Sequence, residues 1–151
     1  MEFVVCKFGG SSLATQEKLE RIAGIIEADE RRRCVVVSAP GKAPDFTTKV
    51  TDLLIEVVAM ALRSEDPTEV LSTVKERYHN IYSALGVDSA VIVATLADLD
   101  KRLQAPKDDS RRYRDLLVAA GEDMNARLFA EYLTARGKQA TDRKSTRLNS
   151  S

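Results

Sequence analysis

The hydrophobic pattern at the start of the chain predicts a strand, a helix and a second strand. Apolar and β-branched residues over 3–8 (FVVCKF) end at Gly9-Gly10, which predicts a buried strand followed by a tight turn. Apolar residues then recur at helical spacing from Thr15, the predicted N-cap, to about Asp29. A second apolar run over 34–37 (CVVV) predicts another buried strand. Continuous apolar strands joined by a helix are typical of a βαβ unit in a parallel sheet.

Beyond the second strand the pattern is mainly helical. A loop that contains two prolines and a glycine is followed by stretches with helical spacing, ended by Gly86 and Gly137. The predicted helices cover residues 51–62, 67–85, 88–103, 113–117 and 124–136. Lys138-Gln139-Ala140 would lead into a third strand. The expected fold class is α/β, with an open, mainly parallel sheet flanked by helices.

Composition narrows the class of protein. The 151 residues fit one domain, and 44% hydrophobic residues exclude a disordered chain. No apolar run reaches the roughly 20 residues of a membrane span, and no signal segment is recognisable, so we expect a soluble, cytoplasmic protein without membrane partners. Two cysteines without a CxxC motif exclude a disulfide scaffold and a zinc ribbon, predict buried reduced thiols, and leave no metal-ligand set.

The net charge of zero conceals a difference between the body and the end of the chain. Three of the 23 basic residues and none of the 23 acidic ones lie in residues 143–151 (RKSTRLNSS), so residues 1–142 carry a net charge of −3. A body of this charge does not predict a nucleic-acid surface. Residues 143–151 are polar where the preceding pattern predicts an apolar strand. We therefore expect one domain over 1–142 and a non-native or disordered tail over 143–151.

A lysine and two glycines at the end of the first strand are the first candidate site. Consecutive glycines let backbone N–H groups approach a phosphate closely, and Lys7 offers a positive charge beside Gly9, Gly10 and Ser11. The sequence is not a Walker A motif, which requires GxxxxGK[ST]. This motif alone leaves both anion binding and ordinary turn chemistry open.

Two further stretches place polar residues at the ends of predicted strands or the starts of predicted helices. Ser38 follows the second strand, and Thr51 opens a helix, where it or Asp52 could be simply an N-cap. Glu122, in the sequence Gly-Glu-Asp, lies at another predicted helix start, where an acidic residue is favoured by the helix dipole without any functional role. In open α/β sheets, ligands bind at the carboxyl ends of the strands, so we expect these positions to share one edge.

Three fragments of the chain together carry a family resemblance. KFGGSS, VVVSAPGK with KVTDLL, and AAGEDMNARLFAEYL resemble, in order and spacing, the amino-terminal part of the aspartokinases, members of the amino acid kinase family. The resemblance covers essentially residues 2–142. It implies phosphoryl transfer from MgATP to the side-chain carboxylate of L-aspartate, giving 4-phospho-L-aspartate and ADP. This reaction is the entry step to lysine, threonine and methionine biosynthesis.

The resemblance also implies roles for individual residues. Lys7 would be catalytic, stabilising the charge on the transferring phosphoryl group, and Gly9, Gly10 and Ser11 would lie with Lys7 against the ATP phosphates. The aspartate-binding residues would be Ser38, Thr51 and Glu122, with Glu122 facing the substrate ammonium group. A carboxylate is already a nucleophile, so the reaction requires no general base.

Aspartokinases are much longer than this chain, and they are expected to form homo-oligomers. The rest of the kinase domain would bind most of the nucleotide, so we expect residues 1–151 alone to lack activity. Two other functions stay open at this point. One is a different amino acid kinase, acting on another carboxylate, a carbamate or a phosphate. The other is a non-catalytic phosphate- or anion-binding module.

Overall fold

A computed structural model describes residues 2–143 of the chain. The expected tail over 143–151 therefore lies outside the described residues, except for Arg143. Two strands and five α-helices follow in the order β1, α1, β2, α2, α3, α4, α5, and a short 3-10 helix separates β1 from α1. Their bounds are Val4–Phe8 (β1), Gly10–Leu13 (3-10 helix), Gln16–Glu27 (α1), Arg32–Val37 (β2), Val50–Leu62 (α2), Thr68–Ala84 (α3), Ser89–Leu103 (α4) and Ser110–Ala135 (α5).

The first two strands form the predicted βαβ unit. β1 and β2 are parallel neighbours, with Val5 opposite Cys34 and Lys7 opposite Val36. Helix α1 connects them and contacts β2, as does the much later helix α5. The predicted α/β fold with a parallel sheet and flanking helices is therefore confirmed.

The continuous apolar sequences of the two strands predicted burial on both faces of the sheet. That prediction is wrong, because one face is open. Val4, Cys6 and Phe8 are half-buried, whereas Val5 on the opposite face is 66% exposed. Val36 of β2 lies on the same open face of the sheet as Val5 and is 45% exposed. The prediction of buried thiols is wrong for Cys34, which is exposed, although both cysteines are free. The described helices cover one face of the sheet, so burial alternates along β1 and along the second half of β2.

Most predicted helix ends agree with the structure. The Thr15 hydroxyl accepts a hydrogen bond from Lys18 N (3.4 Å), and the Asp88 carboxylate accepts one from Ala90 N (2.7 Å), as expected of N-caps. Gly86 follows the end of α3 with φ of 81°, and Gly137 follows α5 with φ of 98°. These two left-handed conformations favour glycine and end the helices.

One helix stands where the sequence predicted two. The segments 113–117 and 124–136 belong to the single 26-residue helix α5, and Gly121 lies inside it. A Cβ atom at Gly121 would lie 3.0 Å from Ala39 Cβ and 3.2 Å from Leu54 Cδ1. Glycine is present there because of close packing, and it does not start a helix. Within residues 2–143 no strand follows β2, and Lys138-Gln139-Ala140, the expected lead-in to a third strand, has no regular secondary structure.

Candidate functional site

The two glycines that follow β1 have different structural roles. Gly9 has extended backbone (φ −80°, ψ 168°), and nothing lies within 4 Å of the position that a Cβ atom would occupy. A Cβ atom at Gly10 would lie 3.0 Å from Ala39 O and 3.3 Å from Gly41 Cα. Packing therefore explains the glycine at position 10. Neither backbone conformation nor packing requires one at position 9.

The loop after β2 lies directly against this glycine-rich turn. The Gly41 N–H group donates a hydrogen bond to Gly10 O (2.8 Å). A Cβ atom at Gly41 would lie 2.7 to 2.9 Å from backbone atoms of Gly10 and Ser11. The prediction that the turns after β1 and β2 share one edge of the sheet is confirmed. Ser38 begins this loop, and its carbonyl oxygen accepts a hydrogen bond from Asn125 Nδ2 (2.7 Å).

Helix α2 begins beside the same loop. Val50 N–H donates to Pro40 O (3.3 Å), which attaches the first turn of α2 to the loop that follows β2. The N-cap residue of α2 is Lys49. The alternative that Thr51 or Asp52 serves simply as the N-cap is therefore wrong. Thr51 is half-buried in the first turn of the helix.

Glu122 lies in the middle of α5, beside the residue that packs against this region. Its neighbour Gly121 packs against Ala39 and the first turns of α2, while Glu122 is exposed. The expectation that Glu122 lies at a helix start is wrong, because α5 begins twelve positions earlier, at Ser110. Any role of Glu122 therefore depends on how closely α5 approaches the loops at Gly121, without help from a helix dipole.

Four lysines lie on or beside the segments that form the two loops. Lys7 is exposed on the open face of the sheet, one residue before the end of β1. Lys18 Nζ donates a hydrogen bond to Ser11 O (2.7 Å), although sequence analysis did not single this residue out. Lys42 follows Gly41 in the second loop, and Lys49 caps α2. Several ammonium groups at one loop edge favour an anionic ligand.

Buried polar groups behind the loops were also missed by sequence analysis. Tyr78 donates a hydrogen bond to Gly121 O (2.6 Å), and Tyr82 donates to Asn125 Oδ1 (2.5 Å). Asn125 in turn holds Ser38 O, so a chain of hydrogen bonds extends from α3 through α5 to the loop after β2. The available signal was a polar residue, Asn125, at an otherwise apolar position of α5.

The buried tyrosines predict instability at high pH. Burial raises the pKa of Tyr78 and of Tyr82 far above the value of 10.0 that an exposed tyrosine has. The unfolded chain therefore loses these protons first, and the free energy of unfolding falls above pH 10 by about 1.4 kcal/mol per pH unit per tyrosine. Urea denaturation between pH 8 and 11.5 measures this slope. Tyr78→Phe should make it shallower; an identical slope in this variant would contradict the assignment.

The two loop glycines at positions 9 and 41 form a matched pair for substitution. Gly41→Ala places a methyl group against backbone atoms that cannot move aside, so we expect it to lower the free energy of unfolding by about 2 kcal/mol. Gly9→Ala meets no atoms, so stability should stay constant or rise by up to about 1 kcal/mol. Chemical denaturation of both variants measures the difference. Equal destabilisation by the two substitutions would contradict the described packing.

Two features are absent from residues 2–143. Among these residues no three histidine, cysteine or acidic side chains converge as a group that could hold a metal ion. No helix in this part of the chain has the length and apolar character needed to cross a bilayer.

The fold and the site together define a class of protein. A parallel βαβ unit with a glycine-rich turn, a second loop packed on that turn and surrounding lysines is typical of an α/β protein that binds an anionic ligand at its sheet edge. The chain belongs to the amino acid kinase family, whose family model matches residues 2–150.

Within that family the chain is similar to aspartokinases. It is 40% identical over 136 residues to aspartokinase 3 of Bacillus subtilis, a match that covers 90% of this chain and 30% of that protein. The structure of Clostridium acetobutylicum aspartate kinase matches with a TM-score of 0.78 and 32% identity, over 89% of this chain and 30% of that one. Escherichia coli aspartokinase III, solved in complex with aspartate and ADP, matches with a TM-score of 0.72 and 30% identity, over 91% and 30%. The chain therefore spans about 30% of the length of these relatives.

Proposed function

We propose that this chain is the amino-terminal part of an aspartate kinase, which transfers a phosphoryl group from MgATP to L-aspartate and gives 4-phospho-L-aspartate and ADP. The observation that carries this proposal is the convergence of three separate stretches of sequence. The glycine-rich turn after β1, the loop after β2 with the start of α2, and the middle of α5 are in contact through Gly10, Gly41, Val50 and Gly121. The relatives that share these stretches are named aspartokinases.

The turn after β1 is the proposed phosphate side of the site. At Gly9 the space that a side chain would fill is open, so a phosphate oxygen can approach the backbone there. Gly10 and Ser11 continue this surface, and Lys7 supplies a mobile positive charge beside it. Lys7 neutralises the charge of the transferring phosphoryl group, which makes it the proposed catalytic residue.

The loop after β2, the first turn of α2 and α5 form the proposed aspartate side. Ser38 and Thr51 offer hydroxyl groups to the substrate carboxylates. Glu122 supplies the negative charge that an ammonium group requires, and it is exposed rather than committed to the core. Because Gly121 packs closely against the neighbouring elements, the backbone that carries Glu122 is held at a defined distance from the loops.

The chemistry requires positioning and charge neutralisation more than proton transfer. The aspartate carboxylate attacks directly, so no residue of the chain has to act as a general base. ATP supplies the γ-phosphoryl group, and Mg²⁺ in such sites is bound largely through phosphate oxygens and water. The chain's own part is to hold the phosphates at Gly9, Gly10 and Ser11, and to hold the acceptor at Ser38, Thr51 and Glu122.

The relatives suggest further properties of the whole protein. We expect the complete enzyme to be a homo-oligomer in the cytoplasm that acts in lysine, threonine and methionine biosynthesis. Residues 1–151 alone should have no measurable turnover, because the chain spans about 30% of the length of its relatives. Phosphoryl transfer requires nucleotide and acceptor to be held in line, and a partial site does not achieve this.

A chimaeric enzyme tests the proposed function. In this chimaera, residues 2–142 of the chain replace the matching segment of Bacillus subtilis aspartokinase 3. We expect ADP release that depends on L-aspartate and not on L-glutamate, carbamate or inorganic phosphate. Circular dichroism verifies that the chimaera folds. A folded chimaera that is inactive with aspartate, or more active with another acceptor, would contradict the proposal.

A further inference from the structure

A buried arginine lies behind the two loops, in the apolar face of α3. Arg77 is 1% exposed and falls in the stripe that includes Val74, Tyr78 and Ile81. Its guanidinium carbon lies 4.3 Å from the centre of the Phe46 ring. No residue between 2 and 143 forms an ion pair with it, and burial lowers its pKa. A charge without a carboxylate partner is an unfavourable occupant of a core position.

The hydrogen bonds of Arg77 reach one residue in each of the two loop regions. Its Nη2 atom donates to Ala14 O (3.0 Å) and to Gly41 O (2.6 Å). Ala14 follows the 3-10 helix that begins at Gly10, and Gly41 is the residue whose N–H group binds Gly10. One nitrogen atom thus joins the end of the glycine-rich segment to the loop after β2. Nε and Nη1 have no partner among the described residues.

These contacts indicate what the buried charge does. An apolar side chain of similar length would avoid the desolvation cost and would fill the same space. It would not connect two carbonyl oxygens from segments that are 27 residues apart. The two hydrogen bonds of Arg77 therefore fix the relative position of the loops more than they stabilise the core.

We propose that Arg77 is a positioning residue that clamps the glycine-rich segment to the loop after β2 and so sets the distance between the phosphate side and the aspartate side of the site. The kinetic consequence of this clamp rests on the proposed function, because the clamp affects catalysis only if phosphate and acceptor bind at these two loops. Its structural consequence, the fixed contact between Gly10 and Gly41, does not depend on any activity.

The structural consequence is tested on the 151-residue chain by amide hydrogen exchange. In Arg77→Met we expect the Gly41 N–H group to exchange about tenfold faster or more, because its bond to Gly10 O opens more often. Amides in the centres of α3 and α5 should keep their rates, and Tm should not fall by more than about 3 °C, since the lost bonds and the avoided desolvation offset one another. Lys75→Met, which removes one positive charge from the exposed side of the same helix, is the matched control and should leave Gly41 unchanged.

The kinetic consequence is tested in the chimaera. We expect Arg77→Met to lower kcat about tenfold or more while KM for aspartate and for ATP changes less than about threefold, because Arg77 touches neither substrate. Arg77→Lys should recover part of kcat, since an ammonium group can still donate to one of the carbonyl oxygens.

Unchanged Gly41 exchange in Arg77→Met, or a general loss of stability across all amides, would overturn the clamp. Unchanged kcat together with faster Gly41 exchange would overturn its kinetic role. If the chimaera with Arg77 intact is inactive, the proposed function fails. The exchange measurement on the chain then still decides whether Arg77 clamps the loops.

Discussion

Replacing Lys7 by alanine in the chimaera is expected to lower kcat at least about a hundredfold, which corresponds to roughly 3 kcal/mol of transition-state stabilisation. The exposed ammonium group of Lys7 has no hydrogen bond or ion pair to any of residues 2–143, and it lies next to the glycine-rich turn. Removing it should therefore leave the fold unaffected and remove only charge neutralisation at the phosphoryl group. Steady-state kinetics with saturating aspartate and MgATP measure the effect.

The control for this substitution is Lys75→Ala, which removes an ammonium group that pairs with α4 and with neither loop. Lys75 pairs with Asp100 and so connects α3 to α4. The kcat of Lys75→Ala should stay within about twofold of the kcat of the unsubstituted chimaera. Thermal denaturation of both variants of the 151-residue chain separates folding from catalysis. Unaltered turnover in Lys7→Ala would assign this residue a structural role only.

The second large effect is expected from Arg102, which connects α4 and α5. Its side chain is 8% exposed, and it donates hydrogen bonds to Asp98 (2.8 Å), Asp123 (2.8 Å) and Leu116 O (2.9 Å). Arg102→Met removes the buried cation from a partly buried network of carboxylates, so the free energy of unfolding should fall by about 3 kcal/mol. For a chain of this size that corresponds to about 6 to 12 °C in Tm.

An exposed ion pair between neighbouring helices provides the comparison for Arg102. Lys75→Met breaks the exposed Lys75–Asp100 pair and should cost at most about 1 kcal/mol. Urea denaturation of both variants gives the two values side by side. If Arg102→Met were no more destabilising than Lys75→Met, burial would not be what makes the Arg102 network important.

Local chemistry explains why much of the fold could be predicted. The β-branched runs before Gly9 and before Ser38 predicted two parallel strands, and Thr15 and Asp88 marked helix starts correctly. These features depend on residues close together in the sequence. Strand propensity, side-chain capping and the left-handed backbone of Gly86 are all determined within a few positions.

What could not be predicted depends on contacts between distant segments. Gly121 resembled a helix start, yet the packing of Ala39 and Leu54 against it determines its identity. The exposure of Val5 follows from which face of the sheet the helices cover, and the strand sequence does not contain that information. Arg77 could have been noticed as a charge in an apolar stripe, but its two carbonyl partners could not.

The candidate site was predictable in its parts and less so in its geometry. The turns after β1 and β2 share an edge as the βαβ pattern predicts, because parallel strands end on the same side of a sheet. The place of Glu122 in the middle of a long helix was not predictable, since a glycine followed by two acidic residues has the composition of a helix start. The roles of these residues stay a prediction.

A crystal structure of the chimaera with ADP and L-aspartate would show directly whether the phosphates and the acceptor bind at the two proposed sides of the site. We expect ADP phosphates against the backbone of Gly9 and Gly10 with Lys7 Nζ near the terminal phosphate. We also expect the aspartate ammonium group at Glu122, with Ser38 and Thr51 at its carboxylates. Phosphates bound away from the glycine-rich turn, or an aspartate that contacts none of these three residues, would contradict it.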